Sequence, residues 1–122
     1  MKRTLPIVGA FYRPPAKALL AVLASDTPLV LRPEPENPHD ANAVMVVLKS
    51  ADIPESAHAV LRESLPPFGS TLEEVLAQEE WHIGYIPRTE AEWVQEKLAG
   101  RDCSAKLSFA PDASPMVSVE LE

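Results

Sequence analysis

The polar side chains that could bind a metal ion or take part in catalysis are concentrated in one stretch of this 122-residue chain, Arg32–Val44. Four of them could together hold a metal ion, as a metal-dependent hydrolase requires: Glu34, Glu36, His39 and Asp40. Alternatively, Asn37 and Asp40 bond the backbone of an Asx-type turn while the surrounding prolines hold the loop extended. Residue types alone favour the turn. A stiff polar loop between two strands is in either case a suitable place for a binding site.

Other patterns of catalytic residues are absent from the sequence. Four glycines cannot build a glycine-rich phosphate loop, and one cysteine cannot supply a thiolate metal site. The histidines are far apart in sequence and lack metalloprotease spacing. Cys103 stands in an alternating pattern that is more typical of packing than of a nucleophile. We therefore favour a protein that is not an enzyme, and we expect no cofactor and no bound metal.

The elements around the loop follow from the hydrophobic spacing. Period-two and continuous apolar runs predict strands at residues 5–12, 29–33, 43–48, 82–87, 104–110 and 116–121. Helical spacing predicts helices at residues 15–24, 54–65, 71–80 and 90–99. The last two strands should pair as a hairpin. Strands and helices do not alternate regularly, so we expect a mainly β, α+β fold with a small curled sheet or barrel.

Residues 49–80 differ from the rest of the chain, because they hold seven carboxylates against two cations. We expect two acidic helices here, the second beginning with a capping box at Ser70. Their acidic sides should face outward, and their packing side chains should be Val60, Leu61, Val75 and Leu76. Such a surface could dock on a protein partner or on a second copy of the chain.

Length and composition limit the remaining choices. A chain of this size, 46% hydrophobic and 24% charged, is expected to form one domain over residues 1–122. Its N-terminus lacks a signal-peptide pattern and no apolar run approaches bilayer length, so we expect a cytoplasmic protein without membrane contact. The net charge of -7 argues against broad nonspecific nucleic-acid binding. Residues 1–32 nevertheless hold five cations against one anion, so charge is unevenly placed.

Three stretches, in this order, resemble the HIRAN domain family: Val8–Arg13, Leu29–Val44 and Ile83–Arg88. The resemblance implies a small OB-like or SH3-like six-stranded β-barrel with helices. Residues 49–80 would be an insertion that replaces a short hairpin turn. The family includes free-standing bacterial proteins, which this chain is similar to, and N-terminal domains of DNA-repair helicase-like proteins. Eukaryotic members capture the 3′ end of single-stranded DNA.

The resemblance also implies roles for individual residues. Asp40 would meet the terminal 3′-hydroxyl, Tyr12 would stack on a base, and Arg88 would contact a backbone phosphate, with Tyr85 close to that phosphate. His39 stands where DNA-binding members have a tyrosine, and Phe11 where they have an arginine. The implied nucleic-acid-binding set is Tyr12, Arg13, His39, Asp40, Tyr85 and Arg88.

Three functions therefore stay open. The first is a single-stranded DNA-binding module linked to DNA repair or processing. The second is a protein-interaction or oligomerisation module that uses residues 49–80. The third is the metal-dependent hydrolase of the polar loop.

Overall fold

A six-stranded antiparallel sheet carries the fold. The computed structural model describes residues 2–10 and 16–121, without the side chain of Phe68. Its strands are β1 (Lys2–Pro6), β2 (Pro28–Pro33), β3 (Val44–Lys49), β4 (Glu80–Tyr85), β5 (Cys103–Phe109) and β6 (Pro115–Glu120). The α-helices in this part of the chain are α1 (Ala16–Val22), α2 (His58–Ser64), α3 (Leu72–Ala77) and α4 (Arg88–Leu98). Short 3₁₀ turns cover Ser50–Asp52, Glu55–Ala57 and Pro66–Phe68.

The strands are ordered β1-β6-β5-β2-β3-β4, and all neighbours are antiparallel. The predicted hairpin of the last two strands is confirmed, with Ala105 opposite Val119. After β1, Val8 forms an isolated bridge with Tyr85 at the end of β4. This bridge is not a ladder, and the sheet is not closed. The α+β class is therefore confirmed, and the predicted barrel is not.

The first strand departs from its predicted range of 5–12. It begins at Lys2 and ends at Pro6, and residues 11 and 12 lie outside the described part of the chain. Its regular pairing with β6 ends at Pro6, after which the Ile7 amide donates one more hydrogen bond to the Pro115 carbonyl oxygen at 3.1 Å. Pro115 has no N–H with which to return that bond. Gly9 then takes a φ of +81°, a conformation that glycine adopts without steric cost.

The sheet and the four helices share one hydrophobic core. Each contributes side chains that are fully buried, including Leu19 of α1, Leu31 of β2, Leu61 of α2, Val75 of α3 and Val94 of α4. The prediction of two helices between β3 and β4 is thus confirmed, and both belong to the common core. None of the helices formed by residues 2–10 and 16–121 has the length and apolarity needed to cross a bilayer.

The packing predicted for α2 is half correct. Leu61 is fully buried as expected, but Val60 is 49% exposed, so its predicted burial is wrong. The buried stripe runs through Ala57, Leu61 and Leu65 and does not include Val60. These residues are four apart and lie on one helical face, whereas Val60 lies about 100° to the side of it.

On α3, too, one of the two predicted packing residues is buried and the other is exposed. Val75 is buried, but Leu76 is 39% exposed and does not pack as predicted. The helix also begins one residue later than expected, because Thr71 rather than Ser70 is the N-cap, and both bonds between Thr71 and Glu74 involve the Thr71 hydroxyl. The hydroxyl of Thr71 accepts a hydrogen bond from the Glu74 amide at 3.2 Å and donates to the Glu74 carboxylate at 3.1 Å.

Candidate nucleic-acid interface

A groove of about 300 Å³ lies where the β2–β3 loop meets the end of β4 and the start of α4. Four of the six predicted site residues line it: His39, Asp40, Tyr85 and Arg88. Its other lining residues are Val8, Asn37, Ala43 and Ile86. The remaining two predicted residues, Tyr12 and Arg13, lie outside the described residues.

The loop is shaped by its own side chains. The Asn37 carboxamide oxygen accepts hydrogen bonds from the amides of His39 and Asp40, at 2.8 and 3.0 Å. One carboxylate oxygen of Asp40 then accepts from the Asn42 amide at 2.9 Å. Two successive Asx-type turns result, which confirms the turn interpretation of this loop. They place His39 on the exposed rim of the groove and leave Asp40 half-buried.

Helix α4 holds the far side of the loop through Gln95. The Gln95 side-chain amide donates to the carbonyl oxygens of Ala41 and Ala43, at 2.9 and 3.1 Å. Gln95 was not among the residues predicted from the sequence. No local pattern marks it, because a glutamine on a helix face is ordinary and its partners are more than 50 positions away.

Tyr85 connects the loop to the strand bridge. Its backbone exchanges two hydrogen bonds with Val8, at 2.8 and 2.9 Å. The preceding Gly84 permits this approach, since a Cβ there would stand 2.6 Å from Ile7 Cγ2 and 2.7 Å from the Val8 carbonyl oxygen. Gly84 is thus a point of close backbone approach, where a side chain would not fit. The Tyr85 hydroxyl donates to Glu34 Oε1 at 2.9 Å, which ties the end of β4 to the start of the loop.

Arg88 and Asp40 form the charged rim of the groove. Arg88 is the first residue of α4, and its side chain is 80% exposed. Its Nε lies 3.8 Å from Asp40 Oδ2, and its Nη2 lies 3.5 Å from the His39 carbonyl oxygen. Both distances exceed those of a strong charge-assisted hydrogen bond, so each charged group keeps capacity for a ligand.

The hydrolase hypothesis finds little support in this geometry. Within residues 2–10 and 16–121, no three His, Cys, Asp or Glu side chains are grouped to hold a metal ion. The Glu34 carboxylate is hydrogen-bonded to Asn37 and Tyr85, and Glu36 is exposed. Burial raises the pKa of the Cys103 thiol, which keeps it protonated at neutral pH and agrees with a packing role.

Arg32 fixes the strand that leads into the loop. Its guanidinium donates to both carboxylate oxygens of Glu80, at 3.0 and 2.9 Å, and to Asp102 at 2.9–3.1 Å. The hydrogen bonds to Glu80 and then to Asp102 raise the pKa of Arg32, and the bond donated by Arg32 lowers the pKa of Glu80. This clamp joins β2, β4 and the start of β5 just before the groove begins.

Residues 5–118 match the HIRAN domain, so the chain belongs to the HIRAN domain family. The resemblance inferred from the three motifs is thereby confirmed, and the match includes every described residue of the groove. No curated protein and no solved structure matches the chain.

Proposed function

We propose that this protein is a non-enzymatic nucleic-acid-binding module that takes single-stranded DNA, by its 3′ end, into the groove beside Asp40 and Arg88. HIRAN domains are generally nucleic-acid-binding modules, which supports the class of ligand. The observation that carries the proposal is the loosely paired carboxylate and guanidinium at one rim. A cytoplasmic role in DNA repair or processing is part of the same proposal.

The two charged groups suit the two ends of a terminal nucleotide. A guanidinium binds a backbone phosphate through charge-assisted hydrogen bonds. A carboxylate accepts the proton of a free 3′-hydroxyl, and it repels a 3′-phosphate. Asp40 can do this while keeping its place in the turn, because Oδ1 is bonded to Asn42 and Oδ2 faces Arg88.

The other predicted residues would complete the interface with DNA. We propose that Tyr12 stacks on a base, that His39 adds a smaller stacking surface at the rim, and that Arg13 supplies a second cation. Tyr85 lines the groove but donates its hydroxyl proton to Glu34, so we assign it to holding the loop. With so few cations binding should be weak, and removing any one cation that binds a phosphate should flatten the salt dependence by about 0.7 in log–log slope.

The acidic helices fit a position away from the DNA. None of the described residues that line the groove belongs to residues 49–80. This supports the proposal that the single domain of residues 1–122 carries that segment as an insertion outside its nucleic-acid face. Seven carboxylates beside a phosphate chain would otherwise oppose binding at low salt.

Fluorescence anisotropy tests the proposal directly. Single-stranded oligonucleotides with a 3′-hydroxyl should bind more tightly than the same strands with a 3′-phosphate. Asp40→Asn keeps an oxygen for the Asn42 amide but removes the charge, so it should abolish this preference without changing the melting temperature. Asp40→Ala should abolish the preference and also lower stability by about 0.5–1.5 kcal/mol through loss of the turn bond. Absence of single-strand binding would refute the function, and binding that ignores the 3′ end would refute end capture.

A second candidate is a protein-interaction or oligomerisation module. Val60 and Leu76 favour it, because both are large apolar side chains exposed on the acidic helices. If this surface self-associates, sedimentation should show a dimer that Val60→Ser and Leu76→Ser convert to monomer. A monomeric wild type would remove self-association and leave only a different protein partner for this surface.

A further inference from the structure

Glu34 stands at the centre of the hydrogen bonds that organise the groove. One of its carboxylate oxygens, Oε1, accepts both from the Tyr85 hydroxyl, at 2.9 Å, and from the side-chain amide of Asn37. The Asn37 amide also donates to the Tyr85 hydroxyl oxygen at 3.2 Å. The three side chains form a closed triangle, and each of them is partly buried.

Hydrogen bonds at both ends of the Asn37 carboxamide determine which way it points. Its nitrogen faces two acceptors, Glu34 and Tyr85, while its oxygen faces two backbone N–H groups, those of His39 and Asp40. The carboxamide oxygen therefore accepts two hydrogen bonds, and the nitrogen has two acceptors within hydrogen-bond distance. A reversed carboxamide would put its N–H₂ against those backbone N–H groups and its oxygen against the Glu34 carboxylate, so both ends favour the observed orientation.

We propose that Glu34 is the positioning residue of this groove, which fixes Asn37 and thereby places the backbone and carboxylate of Asp40. The inference rests on the proposed function for its binding consequence, but its structural part stands without any ligand. Glu34 acts through its neighbours and need not touch DNA itself.

Because both bonds end on the same oxygen, the role requires an acceptor and not a negative charge. Glu34→Gln retains such an oxygen, whereas Glu34→Ala removes the acceptor of both bonds. Glu36→Ala is the matched control. It removes an exposed carboxylate from the same loop and changes the net charge by the same amount as Glu34→Ala.

Amide hydrogen exchange measures the positioning without DNA. In Glu34→Ala, the amides of His39 and Asp40 should exchange faster by roughly 2- to 12-fold. This is the factor expected when the turn around Asn37 loses the stabilisation of one typical hydrogen bond. They should stay at the wild-type rate in Glu34→Gln and in Glu36→Ala. An unchanged rate in Glu34→Ala, or an equal acceleration in Glu34→Gln, would overturn the proposal.

The second readout is the preference for a 3′-hydroxyl over a 3′-phosphate, measured well below the melting temperature of each variant. Glu34→Ala should lower this ratio toward that of Asp40→Ala, and adding Glu34→Ala to Asp40→Ala should change it no further. A purely stabilising role would lower the melting temperature of Glu34→Ala and leave the ratio intact, which would also overturn the proposal. If the wild type shows no preference, end capture fails, and hydrogen exchange alone decides the role of Glu34.

Discussion

Replacing Arg88 with glutamine should separate binding from stability. Arg88 is the first residue of α4, where the positive end of the helix dipole disfavours a cation by about 0.3–1 kcal/mol. Its ion pair with Asp40 is long and its side chain is 80% exposed, so the pair should return no more than about 0–1 kcal/mol. These opposing contributions nearly cancel. We expect Arg88→Gln to change the free energy of unfolding by less than about 0.5 kcal/mol in either direction.

The effect on DNA binding should be much larger. Loss of one charge-assisted hydrogen bond to a phosphate costs about 1.5 kcal/mol at the low end of its usual range, which suits an exposed position. This corresponds to a rise in Kd of roughly tenfold. The slope of log Kd against log salt should fall by about 0.7, the contribution of one phosphate in a single strand.

Lys97→Gln is the matched control, because Lys97 is an exposed cation in the last turn of the same helix and lies against a different hollow. It should lower stability by about 0.3–1 kcal/mol, since the dipole favours a cation there, and should leave single-strand affinity nearly unchanged. Urea unfolding and anisotropy at several salt concentrations measure both quantities. Equal losses of affinity in the two variants would show that Arg88 acts only through long-range charge. A large loss of stability in Arg88→Gln would show a structural role instead.

Other substitutions test the scaffold of the groove. Gly84→Ala should destabilise the protein by about 1–3 kcal/mol in urea unfolding, because its Cβ would overlap Ile7 and Val8, and wild-type stability would contradict the close approach. Gln95→Ala should lower the free energy of unfolding by about 0.5–1.5 kcal/mol. Gln95→Glu should lower it further, because a carboxylate would face two carbonyl oxygens. Equal melting temperatures of the wild type and the two variants would contradict this role of Gln95. The pKa of Glu80 is lowered in the folded state, so its contribution to stability is present above pH 4.5 and is lost as pH falls below it. The free energy of unfolding should therefore decrease less in Arg32→Gln than in the wild type when the pH is lowered from neutral to below 4.5. An equal decrease in both proteins would contradict a stabilising pair between Arg32 and Glu80.

Local sequence patterns predicted most of the elements and the loop that carries the site. They succeeded where side chains alternate or repeat, as in β5 and α1, and where residue types specify a turn, as at Asn37 and Asp40. They missed the start of β1, because Lys2, Arg3 and Thr4 belong to an edge strand with little hydrophobic signal.

Contacts between residues far apart in the sequence were not predicted, for a different reason. Glu34 meets Tyr85 across 51 positions, and Arg32 meets Glu80 across 48. Such pairs depend on strand order and register, and the isolated sequence of either partner carries no sign of them. The exposure of Val60 likewise depends on the orientation of α2 about its own axis relative to the core. The apolar character of Val60 does not determine that orientation.

The pairing of β1 with β6 has a consequence for the order of folding. Lys2 lies opposite Glu120 and Leu5 opposite Val117, so the first of the six strands pairs with the sixth. The β2–β3 and β5–β6 pairs join neighbouring segments and can form early, whereas β1 must close a loop of nearly the whole chain. On the ribosome, β1 has no partner until β6 emerges. Val8, which follows β1, lines the groove. We therefore expect the groove to be completed only after β6 has been made, and a chain that stops before β6 would present an incomplete site.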